Sequence, residues 1–232
     1  EFLVNFIENE VGSEEVQKML SEPYNFNALP LHCAVESNDL KVLELFFSIY
    51  EQRFDKMQIL QFLLENDENG NNLLHIAAAC SKSKEVCEFL WMKIEELFED
   101  KEELKKFLLV KGQYERNALL WSIAQQNENT FYFLFEQVYC KIFSIKEFAY
   151  ESDEDGENLL HYLARFGSVS MLKFALEKLK NEFSPEELQN FIKLKIKNGD
   201  NLLHYAAFGN KNEKSVEFLV NFIENEIGSE EV

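Results

Sequence analysis

The chain has 232 residues, 46% hydrophobic and 28% charged, which supplies a core and argues against disorder. Eight glycines and three prolines are too few for the turns of a β-sandwich, and a formal net charge of −19 spread along the chain argues against nucleic acid and anionic membrane as partners. Four cysteines without a CxxC pair give no disulfide framework and no apolar run has the length of a bilayer span, so the expected location is cytoplasmic.

In chain order, residues 1–28 read as the tail of a repeat that opens with EFLVNFIENEVGSEEV. LPLHCAVES from Leu29 then predicts a short first helix, LKVLELFF a bulky second helix and FDKMQILQFLL a third. The cycle returns as NLLHIAAAC from Asn72, VCEFLW and EDKEELKKFLL, and next as ALLWSIAQQ from Ala118, TFYFLF and SIKEFAY. It returns again as NLLHYLARF from Asn158, MLKFAL and SPEELQNFI, and last as NLLHYAAFG from Asn201 and SVEFLVNFI. The anchors His32, His75, Trp121, His161 and His204 lie 43, 46, 40 and 43 residues apart, a period of about 43. Residues 217–232 restate residues 1–16 with Ile227 for Val11, an offset of 216 that equals five such periods. The two ends therefore hold equivalent places in one array over residues 1–232, with further copies expected beyond both. Neither end carries a polar capping repeat, which predicts end-to-end self-association.

Local chemistry supports these elements. Gly70, Gly156 and Gly199 suit the positive φ of a tight turn, and Asn72, Asn158 and Asn201 two residues later suit a helix N-cap. Alanines such as Ala77, Ala78, Ala164, Ala206 and Ala207 let first helices approach closely. Capping boxes are predicted for the third helices at Asp55 with Gln58, Asp100 with Glu103, Ser144 with Glu147 and Ser184 with Glu187, where Pro185 takes the first helical position.

Leu29, Pro30, Leu31 and His32, followed by Ala34, resemble the start of the ankyrin repeat, whose first helix begins Thr-Pro-Leu-His before paired alanines. DEDGENLLHYLARFGSVSMLKFAL over residues 153–176 is similar along its whole length, with Asp153 and Gly156 in the hairpin and Gly167 at the inter-helix turn. Asn usually replaces Thr, Trp121 displaces one His, and the period exceeds the family's roughly 33 residues. The resemblance implies an all-α ankyrin-like solenoid with short β-hairpin-type turns, and the extra residues predict three helices per repeat. It also implies that the anchor histidines hydrogen-bond backbone, and that partners meet the hairpin tips and the exposed side of the first helices. Those positions here are Glu68, Asn69 and Asn71, then Glu154, Asp155 and Glu157, then Asp200, with Glu36, Gln125, Gln126, Arg165, Phe166 and Phe208 on the helices. Phe166 and Phe208 are read either as aromatic anchors for a partner or as rings packed on each other.

Catalysis is not expected. Histidines one repeat apart stand too far from one another to share an ion, and a metal ligand would not be exchanged for Trp121. The cysteines read as small core residues, and pairs such as Glu102/Glu103 and Glu186/Glu187 as solvated helix starts that complement the dipole. No metal or cofactor is therefore predicted. The expected function is a non-catalytic protein-interaction scaffold whose acidic concave and hairpin surface meets a basic protein ligand. The alternative is the targeting region of a larger microbial or symbiont effector or toxin with its active domain elsewhere.

Overall fold

In many of the helices the first orphan N–H groups are met by a side chain placed one residue upstream, such as Asp39, Asp55, Asn117, Ser144, Asn158 and Ser184, and this sets where those elements start. The computed structural model describes residues 2–80, 84–209 and 212–227. The chain divides into two compact units, Glu1–Gln113 and Tyr114–Val232. The first unit holds α1 (Phe2–Val11) and α2 (Ser13–Ser21), then the triplet α3 (Pro30–Glu36), α4 (Leu40–Arg53) and α5 (Lys56–Leu64). A second triplet follows as α6 (Leu73–Cys80), α7 (Glu85–Leu97) and α8 (Lys101–Leu109).

The second unit begins with α9 (Ala118–Ala124) and α10 (Glu128–Phe133), which runs through a π-helical stretch (Leu134–Tyr139) into α11 (Cys140–Ile142). Its third helix is α12 (Ile145–Tyr150). Then come α13 (Leu159–Phe166), α14 (Val169–Glu182) and α15 (Pro185–Ile192), and finally α16 (Leu202–Gly209) and α17 (Glu213–Ile227). Among the described residues there is no β-strand, only isolated bridges Tyr24–Ala28 and Ser152–Asn158 at the bases of two tips. The expected all-α repeat is thus what the chain adopts, with three helices in each repeat that lies wholly within the described residues.

Three of the four capping boxes close as predicted, at Asp55, Ser144 and Ser184. Asp100 instead accepts from the Glu102 N–H at 2.8 Å, so Glu103 takes no part and that box is a simple cap. Within the first unit the small face of α3 lies on α6, and within the second α13 lies between α9 and α16. Ala77, Ala78, Ala164 and Ala206 are buried in these stacks, whereas Ala207 is exposed. The second helices bury large residues: Leu43, Phe47 and Tyr50 on α4, Leu90, Trp91 and Ile94 on α7, and Met171, Leu172 and Leu179 on α14. Third helices add aromatic edges, with Phe62 against Tyr50 and Phe54, and Phe191 against Tyr150 and Phe183. In the π-helical stretch, Phe135 and Tyr139 are both buried against Phe148. Of the four cysteines only Cys87 is in the core. Cys33 and Cys80 are exposed, contrary to the core reading, and Cys140 is half-buried.

His75 and His32 tie their first helices to backbone through both ring nitrogens. In His75, Nδ1 receives the Asn72 N–H at 3.2 Å while Nε2 reaches the Val110 carbonyl at 2.9 Å. His32 repeats this with the Leu29 N–H at 3.2 Å and the Glu65 carbonyl at 3.3 Å. Asn72 and Asn158 cap the same helices, their Oδ1 atoms accepting from the N–H groups of Leu74 and His75, and of Leu160 and His161. Trp121 fills the anchor position by burial and ring contacts, its indole N–H having no acceptor among the described residues.

Candidate protein-interaction surface

Two of the acidic tips are each built around one aspartate. The Asp67 carboxylate accepts from the N–H groups of Asn69 and Asn71 at 2.9 and 2.8 Å, and Gly70 closes the turn with φ +79°. Asp153 does the same with Asp155 and Glu157 at 3.0 and 2.8 Å around Gly156, φ +90°. Neighbouring tips are then fastened together, the Glu68 N–H donating to the Phe26 carbonyl at 2.7 Å and the Lys197 N–H to the Asp155 carbonyl at 2.9 Å. Glu68, Asn69, Glu154 and Asp155 consequently stand exposed on a hydrogen-bonded frame, and Glu36, Gln125 and Gln126 are exposed at the ends of α3 and α9.

Two of the expected contact residues do not face solvent. Asn71 is buried because its Oδ1 accepts the Gln113 N–H at 2.9 Å and its Nδ2 donates to Asp67 at 3.1 Å. Glu157 is buried because Tyr205 folds over it, donating its hydroxyl to Oε1 at 2.5 Å, with Arg165 Nη1 at 3.8 Å. Burial raises the Glu157 pKa, reinforced by Asp153, while the Tyr205 hydroxyl and the guanidinium groups of Arg165 and Arg116 oppose the rise. Both side chains are engaged in fastening the tips.

Phe166 and Phe208 are neither two equal anchors nor a packed pair. The Arg165 guanidinium is 4.8 Å from the Phe166 ring and 5.2 Å from the Phe208 ring, so it bridges the two. Phe166 is half-buried near Tyr162, whereas Phe208 is 80% exposed. Arg165, Asn198, Asp200, His204, Tyr205 and Phe208 line an open cavity of about 600 Å³. Asp200 lies on its wall, half-exposed, beside His204.

Sequence reasoning missed Arg116. Its guanidinium lies 4.9 Å from Trp121, 5.0 Å from Tyr114 and 5.3 Å from Tyr162, and its Nε donates to the Tyr162 hydroxyl at 3.2 Å. It also missed the exposed rings of Phe26 and Tyr114, both at positive φ on tips that lack glycine. A signal existed in the composition, because Arg53, Arg116 and Arg165 are the only arginines among 23 basic residues and each has a defined partner.

No group of three or more His, Cys, Asp or Glu side chains among the described residues is arranged to hold a metal ion. Burial pushes the Cys140 thiol up to about 11 and raises the Cys87 thiol, which leaves them protonated at neutral pH. No described helix is long and apolar enough to cross a membrane.

This architecture is that of an ankyrin-like helical repeat. The chain is similar to the ankyrin repeat domain of Bcl-3, described as a unique member of the IkappaB protein family, with 18% identity and a TM-score of 0.60 over 98% of this chain and 79% of that one. It is likewise similar to a chain in the structure of the Bd0816 predatory endopeptidase from Bdellovibrio bacteriovorus in complex with immunity protein Bd3460, with 15% identity, a TM-score of 0.55 and coverage of 94% and 96%. At these identities the likeness defines the fold. No protein-family model and no curated protein matches the chain.

Proposed function

We propose that the chain is a non-catalytic protein-interaction scaffold whose repeats act as one array and present acidic tips and the Phe208 cavity to a basic protein ligand. The observation that carries this reading is the pairing of a rigid acidic tip with an exposed ring in one unit. Glu154 and Asp155 stand out from the hydrogen-bonded frame, and Phe208 projects beside Asp200 on the adjoining first helix. Arg165 does not cancel this field, because Glu157 neutralises it from below. A cationic side chain therefore meets carboxylates at the tip and a ring face in the cavity. The two structural neighbours support the reading in kind, one being an ankyrin repeat domain and the other coming from a protein–protein complex.

The test is the kinetics of a partner captured from native lysate. Reversing Glu68, Glu154 and Asp155 together to Lys is expected to slow association and flatten its dependence on salt, since steering is screened beyond about 8 Å at physiological ionic strength. Phe208→Ala is expected to speed dissociation by more than about 1 kcal/mol. If the tip reversals leave association unchanged while reversal of Glu102, Glu103 and Glu186 on the third helices abolishes it, the ligand sits on the outer face and the assignment fails.

A further inference from the structure

Two of the three arginines have a carboxylate of their own, Arg53 from Glu8 at 2.8 Å and Arg165 from Glu157 at 3.8 Å. Arg116 makes no ion pair among the described residues, although acids outnumber bases 42 to 23. Its surroundings are rings instead. The guanidinium lies 4.9 to 5.8 Å from the centres of Tyr114, Trp121, Tyr162 and Phe166. Nε is spent on the Tyr162 hydroxyl, which donates in turn to Asp153 Oδ2 at 3.2 Å. The two Nη groups have no acceptor among the described residues.

The acids of the neighbouring tip are committed elsewhere. Asp153 accepts the N–H groups of Asp155 and Glu157, and Glu157 takes the Tyr205 hydroxyl with Arg165 beside it. The backbone before Arg116 adds a second observation. Tyr114 and Glu115 stand at φ +59° and +55°, a region that the tips at Gly70 and Gly156 enter with glycine and that disfavours a residue with a side chain. Tyr114 accepts this strain and sets its ring against the guanidinium while remaining 66% exposed. Arg116 is thus half-buried, held by rings, with its terminal donors uncommitted. A fork fixed in this way loses little freedom on meeting an acceptor, and ring faces beside it strengthen the attraction by keeping water away.

The geometry points to Arg116 as the receptor for one carboxylate of a protein ligand, an Asp or Glu side chain that takes both Nη groups in a bidentate pair. A singly charged carboxylate suits the site better than a phosphate dianion, since a chain at −19 resists each further negative charge. This inference stands on Arg116 and its rings and is independent of the basic ligand proposed for the acidic tips. One ligand can satisfy both, with basic residues on the tips and its carboxylate on Arg116.

The test is a random peptide library displayed with its C-termini fused to the carrier, so that only side-chain carboxylates are offered, selected on the whole chain and on the Arg116→Gln variant. Selection on the parent is expected to fix an Asp or Glu at one position, and selection on Arg116→Gln to lose that preference. In a synthetic peptide from the parent selection, replacing the fixed acid by its amide is expected to weaken binding about tenfold or more on the parent and less than about twofold on Arg116→Gln. Arg116→Lys keeps the charge but loses the fork, and is expected to retain only part of the affinity. Tyr114→Gly relieves the backbone and removes a ring, and is expected to weaken the acidic peptide while leaving its amide unchanged. Circular dichroism checks that each variant is folded, and the amide replacement on the parent needs no variant. The proposal is overturned by the absence of a fixed acid on the parent, by the same acid fixed on Arg116→Gln, or by an amide that binds the parent as tightly as the acid. Enrichment of Lys and Arg alone overturns it while leaving the basic-ligand reading in place, and a fixed acid without basic residues does the reverse.

Discussion

Burial pushes the His161 imidazole from its ordinary value of 6.5 down to about 4, against the opposing pull of the Leu194 backbone and Asp153. Between these values the unfolded chain binds a proton that the folded chain refuses, so stability is full above about pH 6.5 and falls as pH drops towards 4. The size of this loss is about 3 kcal/mol. Thermal melts between pH 7 and pH 4 are expected to show it, and His161→Gln is expected to flatten the slope. His32, whose pKa is also lowered chiefly by burial, leaves a residual dependence. An unchanged slope in the variant would show that other groups govern acid stability. The same scale explains why Arg116 escaped sequence reading, since its ring partners Tyr114, Trp121 and Tyr162 come from two successive repeats and are not periodic with it. Glu157 escaped for a related reason. Nothing in DGEN distinguishes an acid at a tip from one under a tip, and the difference arises only when Tyr205 of the following repeat closes over it.

At the level of elements, α15 shows how little is needed to begin a short helix. Ser184 accepts the Glu187 N–H, Glu187 accepts the Ser184 N–H at 2.8 Å, and Pro185 supplies the first helical φ. Lys146 anchors the same carboxylate at 2.7 Å and, with the Ser184 hydrogen bonds, holds it down to about 2. Ser184→Ala is expected to cost about 1 kcal/mol, read as a lower melting temperature, and Ser184→Asp is expected to recover most of it. The triplet order of helices was legible in sequence because such caps, the Asn–His pairs and the glycines at positive φ are all local signals. Asp100 marks the limit of that reading. The spacing to Glu103 is right for a box, but the observed bond goes to the Glu102 N–H, which the spacing does not foretell. The exposure of the candidate surface residues was legible only in part. Exposed Glu68, Glu154, Asp155 and Phe208 follow from their places in the repeat, whereas the burial of Asn71 depends on the Gln113 backbone 42 residues away.

For the molecule as a whole, the net charge of −19 is a standing repulsion that ions relieve. Raising sodium chloride from a few millimolar to physiological strength is therefore expected to raise the melting temperature, with most of the gain complete once the screening length falls to about 8 Å. A melting temperature that falls with salt instead would mean that ion pairs such as Lys178–Glu136 and Lys93–Glu51 outweigh the repulsion. Each compact unit also contains one buried tryptophan, Trp91 on α7 in the first and Trp121 on α9 in the second, and the chain has no other. The two indoles differ in surroundings, Trp121 alone lying against a guanidinium, that of Arg116 at 4.9 Å. Nature has in effect installed a separate fluorophore in each unit. Replacing either by Phe leaves emission that reports on the other unit alone, and comparing the two denaturation curves reads out whether the halves melt as one cooperative body or in succession.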